Sequence, residues 1–296
     1  EGAPGHGAAP LLGIPRGHYG DVPSAPSHPA YPLHSYRTWG GFDYYVAQIG
    51  GLWDSLLGEG RAFYITANSD SHRFLGDRRQ TDRSAFKAQG HVTLTGESKP
   101  HVRGDITDPD YDYPPGAYAR TYVFASSREP LAILDGMRGG NMWTVLGGLV
   151  DGVELWVHDG RHAAPMGSTL LSTRGADVEV VLRVRPASRP NQAGVLPRLH
   201  HVDLISGQIQ GPAPHRDTMV HPTAQLAAQW RASNGAGRAG WLEFRHRIPR
   251  VQGSFFLRVR GTNTAVQSPG MDALDVDPWR DLWFYTNPVM VLVAPD

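Results

Sequence analysis

Ala62-Phe-Tyr-Ile-Thr-Ala-Asn-Ser-Asp-Ser-His72 sets an apolar run directly against an Asp-x-His pair, and its reading decides what kind of fold to expect. Residues 62–67 read as a strand. Residues two apart on a strand project to the same side, so Asp70 and His72 converge on one point at its end. A carboxylate oxygen and an imidazole nitrogen make half a site for zinc, manganese or iron, with Asn68, Ser69 and Ser71 placed to hydrogen-bond the ligands. Upstream, Phe42, Tyr45, Val46, Ile49, Leu52, Trp53, Leu56 and Leu57 follow one another in steps of three and four, the stripe of an amphipathic helix, and Gly58 and Gly60 end it. A helix leading into a strand with polar ligands at its far end is how α/β barrels present active sites.

Downstream, residues 73–117 are polar and rich in Pro and Asp and predict a loop excursion. Thr121-Tyr-Val-Phe-Ala125 predicts a strand, 129–140 a helix with Leu131, Ile133, Leu134 and Met137 apolar, and Met142-Trp-Thr-Val-Leu146 another strand, a β-α-β unit. From about 150 the alternation is two-residue, in 153–157, 178–184, 201–205, 241–245, 254–260 and 289–293. Short alternating strands between Gly/Pro turns predict a β-sandwich, so a domain boundary is drawn near 150. At the other end, residues 1–40 are rich in Gly, Pro, Ala and His. Tyr19, Tyr31, Tyr36 and Trp39 within them predict an ordered loop wrapped over a larger body.

Composition narrows the chemistry. Twenty-eight Lys and Arg balance twenty-eight Asp and Glu, without a basic cluster, so no footprint for nucleic acid is expected. Cysteine is absent, which excludes disulfides, thiolate nucleophiles and Cys-ligated zinc and leaves the carboxylates and fourteen histidines as metal donors. No apolar run reaches the roughly twenty residues of a membrane span. The chain starts at Glu1 without a methionine and reads as a processed or excised piece, compatible with export and removal of a targeting segment. Arg73 and Arg120 are candidate anion clamps, because a guanidinium fork matches phosphate or carboxylate oxygens. His6, presented between glycines, can approach a ligand closely.

The run from Gly40 to Arg61, followed by the strand and Asn-Ser-Asp-Ser-His72, resembles the end of a polymerase-and-histidinol-phosphatase (PHP) metallohydrolase domain, more narrowly its carbaryl-hydrolase-like branch. The likeness extends to Tyr118-Ala-Arg-Thr-Tyr-Val-Phe124 and to the closing Asp-Pro-Trp-Arg-Asp-Leu-Trp-Phe-Tyr-Thr-Asn-Pro288. The resemblance implies an α/β region followed by an all-β one: residues 1–150 as the C-terminal part of a distorted α/β barrel, and 151–296 as a β-sandwich domain. It implies that Asp70 and His72 are catalytic metal ligands, with His6 and His28 (in His28-Pro29) as further ligands. Two or three divalent ions, zinc, manganese or iron, would activate a water against a phosphoester, carbamate or carboxyl ester. The family's opening His-x-His motif is missing, so a partner is expected to complete the site, either the N-terminal part of the same parent protein or a second chain. Packing makes the same demand, since helix 42–57 and strand 62–67 need cover that residues 1–40 do not offer. The competing reading is a non-catalytic carbohydrate- or protein-binding sandwich with a vestigial PHP segment.

Overall fold

Two facing sheets form the body of the described residues. The computed structural model describes residues 38–68, 80–82, 93–95, 116, 118–191, 193–215, 218, 220–235, 237, 239–272 and 279–294. The small sheet has the order β11-β8-β5-β6, from Leu242–Ile248 (β11), Val178–Pro186 (β8), Val150–His158 (β5) and Ala163–Pro165 (β6). The large sheet runs through Gln225–Arg231 (β10), His201–Gln208 (β9), Phe255–Thr262 (β12), Trp283–Thr286 (β13), Met142–Leu146 (β4) and Ala119–Val123 (β3), with Val289–Ala294 (β14) also pairing β12. Every pair is antiparallel except that of β14 with Thr169–Thr173 (β7). A separate two-stranded ladder joins Gln80–Asp82 (β1) to Thr93–Thr95 (β2).

All six strands expected after residue 150 are present. Their alternation is the reason: Val153, Leu155 and Val157 of β5 and Val180, Leu182 and Val184 of β8 are fully or almost fully buried, and face Val202, Leu204, Leu257 and Val259 of the large sheet in one core. Trp230 of β10 stacks on Phe244 of β11, ring centroids 5.5 Å apart, to close one side. The large sheet takes strands from both sides of residue 150, because β13 pairs with β12 on one edge and with β4 on the other.

The other face of the large sheet is covered by residues 38–68, and here sequence and structure differ. The stripe at 42–57 forms two short helices, Tyr44–Ala47 (α1) and Leu52–Gly58 (α2), in place of the single helix expected. Gly50 sits between them at φ +77°, where it accepts a hydrogen bond from His221 N and donates its own N–H to Asp54 at 2.7 Å. A left-handed glycine ends one helix and lets the next begin at an angle. Val46, Ala47, Trp53 and Leu57 are buried against the sheet, so the cover sought from a partner for this stretch is provided by the chain's own sandwich.

Arg258 and Arg260, on the covered face of β12, hold this layer. Arg258 donates to both carboxylate oxygens of Asp54, at 2.6 and 2.8 Å, with its guanidinium 4.7 Å from the Trp53 ring centroid and both charged groups fully buried. Arg260 donates to Asp203 at 3.0 Å, to Ala47 O at 3.1 Å and to Gln267 O at 2.9 Å. Asp272 fixes the start of the layer, accepting from Thr38 Oγ1 and Gly41 N.

The β-α-β unit is also corrected. Strand β3, helix Pro130–Arg138 (α3) and strand β4 follow in the expected order, but β3 and β4 pair antiparallel, Ala119 opposite Leu146 and Val123 opposite Met142. α3 is therefore an insertion in a hairpin and not the crossover of a parallel sheet. Among the described residues the strands form an all-β sandwich, and none of them close into a barrel.

Candidate functional site

Residues 61–68 run extended over the large sheet, and among the described residues they form no ladder with it; side chains hydrogen-bond their backbone instead. Asn287, fully buried just past β13, accepts from Ile65 N at 2.7 Å and donates to Ile65 O at 3.2 Å. Two residues on, Thr121 Oγ1 of β3 accepts from Ala67 N at 2.8 Å and donates to Ala67 O at 2.7 Å. Asn287 can serve N–H and C=O at once because its amide carries both an acceptor and a donor, and the Thr121 hydroxyl does the same with one oxygen. Tyr64 OH donates to Gly167 O at 2.7 Å and Trp53 Nε1 to Phe63 O at 2.8 Å, so six hydrogen bonds made by four side chains set the path of this segment.

The segment delivers Asn68 to a cleft of about 570 Å³ lined by Ala67, Asn68, Gly116, Ala119, Arg120, Thr121 and Tyr122. Edge strand β3 supplies most of its wall. Arg120 donates through Nε to Gly116 O, and its Nη1 lies 3.5 Å from Tyr122 OH. Tyr122 is in turn stacked on Trp143, ring centroids 4.4 Å apart and planes 4° from parallel. Arg120 makes no ion pair with a carboxylate among the described residues, and it also borders a second depression with Gly148, Asp151 and Arg189. The nearest acid there, Asp151, is engaged by the N–H and hydroxyl of Ser188, at 2.9 and 2.6 Å. A guanidinium held by a carbonyl and a phenol, with no carboxylate partner among the described residues, is suited to an anionic oxygen.

Of the site residues expected from sequence, Arg120 is thus placed at the cleft. Asp70, His72, His6, His28 and Arg73 lie outside the described residues. Among the described residues no group of three or more His, Asp or Glu side chains is arranged to hold a metal ion. Four described histidines of the sandwich have local partners: His158 meets Glu179 at 3.0 Å, His200 and His201 share a contact between their Nδ1 atoms at 2.9 Å, and His221 Nε2 lies 3.0 Å from Thr223 Oγ1. Burial drives the His201 pKa down, with His200 and Arg260 adding to it and Asp203, 3.7 Å away, opposing it. Tyr285, fully buried on the face that holds Arg260, is pushed up to about 12 by burial.

Sequence reading missed Thr121 and Asn287. Both stood in view, because Tyr118–Phe124 and the closing Thr-Asn-Pro288 are stretches in which the family resemblance lies. Neither residue is an ionisable or metal-binding type, and only the fold shows that they clasp the segment leading to Asp70.

No family model and no curated protein matches the chain. Among solved structures, a chitin-binding domain from Burkholderia pseudomallei matches 43% of this chain and 57% of its own length, at 9% identity and a TM-score of 0.23. The match thus spans a little over half the length of that domain, and a likeness this low carries no argument about fold or function.

Proposed function

We propose that the chain is part of a metal-dependent hydrolase of the PHP type, acting on phosphoesters or related carboxyl esters and carbamates through a metal-activated water. One observation carries the reading. The three stretches in which the resemblance lies, 40–72, 118–124 and the closing run to Pro288, meet at one place, where Thr121 and Asn287 hydrogen-bond the backbone of residues 65 and 67. Fixing the path of one segment with four side-chain hydrogen bonds makes sense if the residues next along the chain, Ser69-Asp70-Ser71-His72, must stand in a set position. The metal donors of this proposal, Asp70 and His72 with His6 and His28, come from the sequence, and the described residues add no donor set of their own. A divalent ion bound there would bring the pKa of its water toward neutrality. Arg120 is assigned the anionic oxygen of the substrate, and Tyr122 and Trp143 fix the wall from which it reaches.

The partner belongs to the same proposal. Helix α3 has no buried residue, and Leu131, Leu134 and Met137 are 71%, 43% and 36% exposed, continuing into Phe124 at 40%. Apolar surface of this extent beside an incomplete site supports cover by the N-terminal part of the parent protein or by a second chain. The C-terminal part of a distorted barrel, assigned to residues 1–150, is the setting this would complete.

Hydrolysis of p-nitrophenyl phosphate and of a phenyl carbamate, with and without a chelator, tests the reading. Chelation and Asp70→Ala are each expected to abolish turnover, and Arg120→Ala to raise KM about tenfold for the anionic substrate more than for the neutral one. Turnover that survives chelation and Asp70→Ala alike contradicts it. A folded protein with neither activity nor metal is the non-catalytic binding sandwich.

A further inference from the structure

Eight tryptophans are spread through the chain, and seven of them are partnered through the ring. Trp39 meets Tyr44, Trp143 stacks on Tyr122, Trp230 on Phe244, and Trp279 meets Tyr118 edge-on. Arg258 lies over Trp53, Arg260 over Trp283, and Arg183 and Arg185 lie over Trp241. Trp156 is the exception: among the described residues its indole meets no ring or guanidinium and makes no hydrogen bond, and it is 42% exposed. It stands on the outward face of β5, between Glu154 and His158, in a groove of about 240 Å³ with Phe124, Asn141 and Pro165.

We propose that Trp156 and this groove form a binding subsite for a neutral saccharide, with one pyranose ring stacked on the indole. The site uses none of the residues assigned to hydrolysis, although Phe124 on its rim also borders the apolar surface assigned above to a partner. A pyranose presents C–H groups on its face, which an aromatic quadrupole attracts, and hydroxyls around its rim, which need hydrogen-bond partners. Trp156 supplies the platform, and the half-buried Asn141 side-chain amide, without a hydrogen-bond partner among the described residues, supplies a donor and an acceptor beside it. Glu154 supplies further acceptor oxygens.

The charges around the ring select a neutral ligand. Glu154 is engaged by Arg183 at 2.9 Å, and Glu179 by His158 at 3.0 Å and Arg245 at 3.2 Å. Arg183 and Arg245 are shared with Glu243, at 3.8 and 2.8 Å, so the carboxylates here outnumber these two arginines, which disfavours an anionic ligand, and a single ring lacks the cage that cation recognition uses. The groove is smaller than a drug-sized pocket of roughly 300–1,000 Å³, which suits one sugar ring and not a peptide side-chain cluster.

Affinity electrophoresis of the whole chain through gels holding xylan, hydroxyethylcellulose, galactomannan, glycol chitin or laminarin tests the proposal, followed by calorimetry with a hexasaccharide of whichever polymer retards it. At least one polymer is expected to retard the protein. Trp156→Ala should then weaken binding at least about tenfold and Asn141→Ala about threefold or more, while Trp156→Phe stays within about threefold of the parent. Trp241→Ala, whose ring is already covered, should leave retardation unchanged. No retardation by any polymer, or equal retardation of Trp156→Ala, overturns the proposal. So does a change in sedimentation on Trp156→Ala without saccharide binding, which would make the groove a protein contact. Metal removal should not affect retardation, so this result and that of the hydrolysis assay are read separately.

Discussion

Asn287→Ala removes one side chain that serves two buried backbone groups, and its cost can be worked from the structure. Ile65 is 2% exposed and Asn287 fully buried, so without the amide the Ile65 N–H and C=O lose their 2.7 and 3.2 Å partners in a place from which water is excluded. An unpaired buried polar group costs about 1–3 kcal/mol, or about 2–6 kcal/mol for the pair if the segment stays in place. The segment has another course: residues 61–68 can lift from the sheet edge and hydrogen-bond water, which limits the loss to the lower end, about 2–3 kcal/mol. Guanidinium unfolding of the variant should give that decrease. Amide exchange in a peptide covering 62–68 should rise by an order of magnitude or more while β8 and β12 stay protected. Thr121→Val should act likewise at Ala67. A loss below about 0.5 kcal/mol with unchanged exchange would show that the clasp does not hold the segment.

Asp54→Ala leaves Arg258 buried without its partner and should cost about 3–5 kcal/mol in denaturant unfolding, whereas the double change Asp54→Leu with Arg258→Met should return to within about 1 kcal/mol of the parent. A double variant as unstable as the single one would mean that the pair does more than compensate its own burial. His201, and with it His246, contributes to the pH dependence: burial holds each folded pKa below the ordinary 6.5, so the unfolded chain takes up a proton first as pH falls. Stability attributable to these groups is intact above pH 6.5 and declines as pH drops from there toward the folded pKa of each. His201→Gln should flatten that part of the stability curve, and an unchanged slope between pH 6.5 and 5 would exclude His201 as its source.

The sandwich was legible because its strands carry the alternation that a buried face imposes, most plainly in Val178-Glu-Val-Val-Leu-Arg-Val184. The covering layer was harder to read. Phe255-Phe-Leu-Arg-Val-Arg260 has the pattern of a strand with one wet face, yet Arg258 and Arg260 are buried, because residues 44–58 close over them and bring Asp54 to one of the two. Gly50-Gly51 was the signal that 42–57 could not be one helix, since only a glycine accepts the φ of +77° found at Gly50 without strain. Strand β10 escaped notice for lack of contrast: an edge strand exposed or half-buried along its length has no face to alternate. At the candidate site, sequence picked out Arg120 by its chemistry and passed over Thr121 and Asn287, whose role depends on contacts 54 and 222 residues away along the chain.

Metal content bears most directly on the central claim. Elemental analysis of the purified whole chain, dialysed free of loosely bound ions, is expected to find at least about one equivalent of zinc, manganese or iron, and His72→Ala should lose it while its strands remain folded by circular dichroism. A folded parent protein without stoichiometric metal, or a His72→Ala variant with undiminished content, would contradict the account.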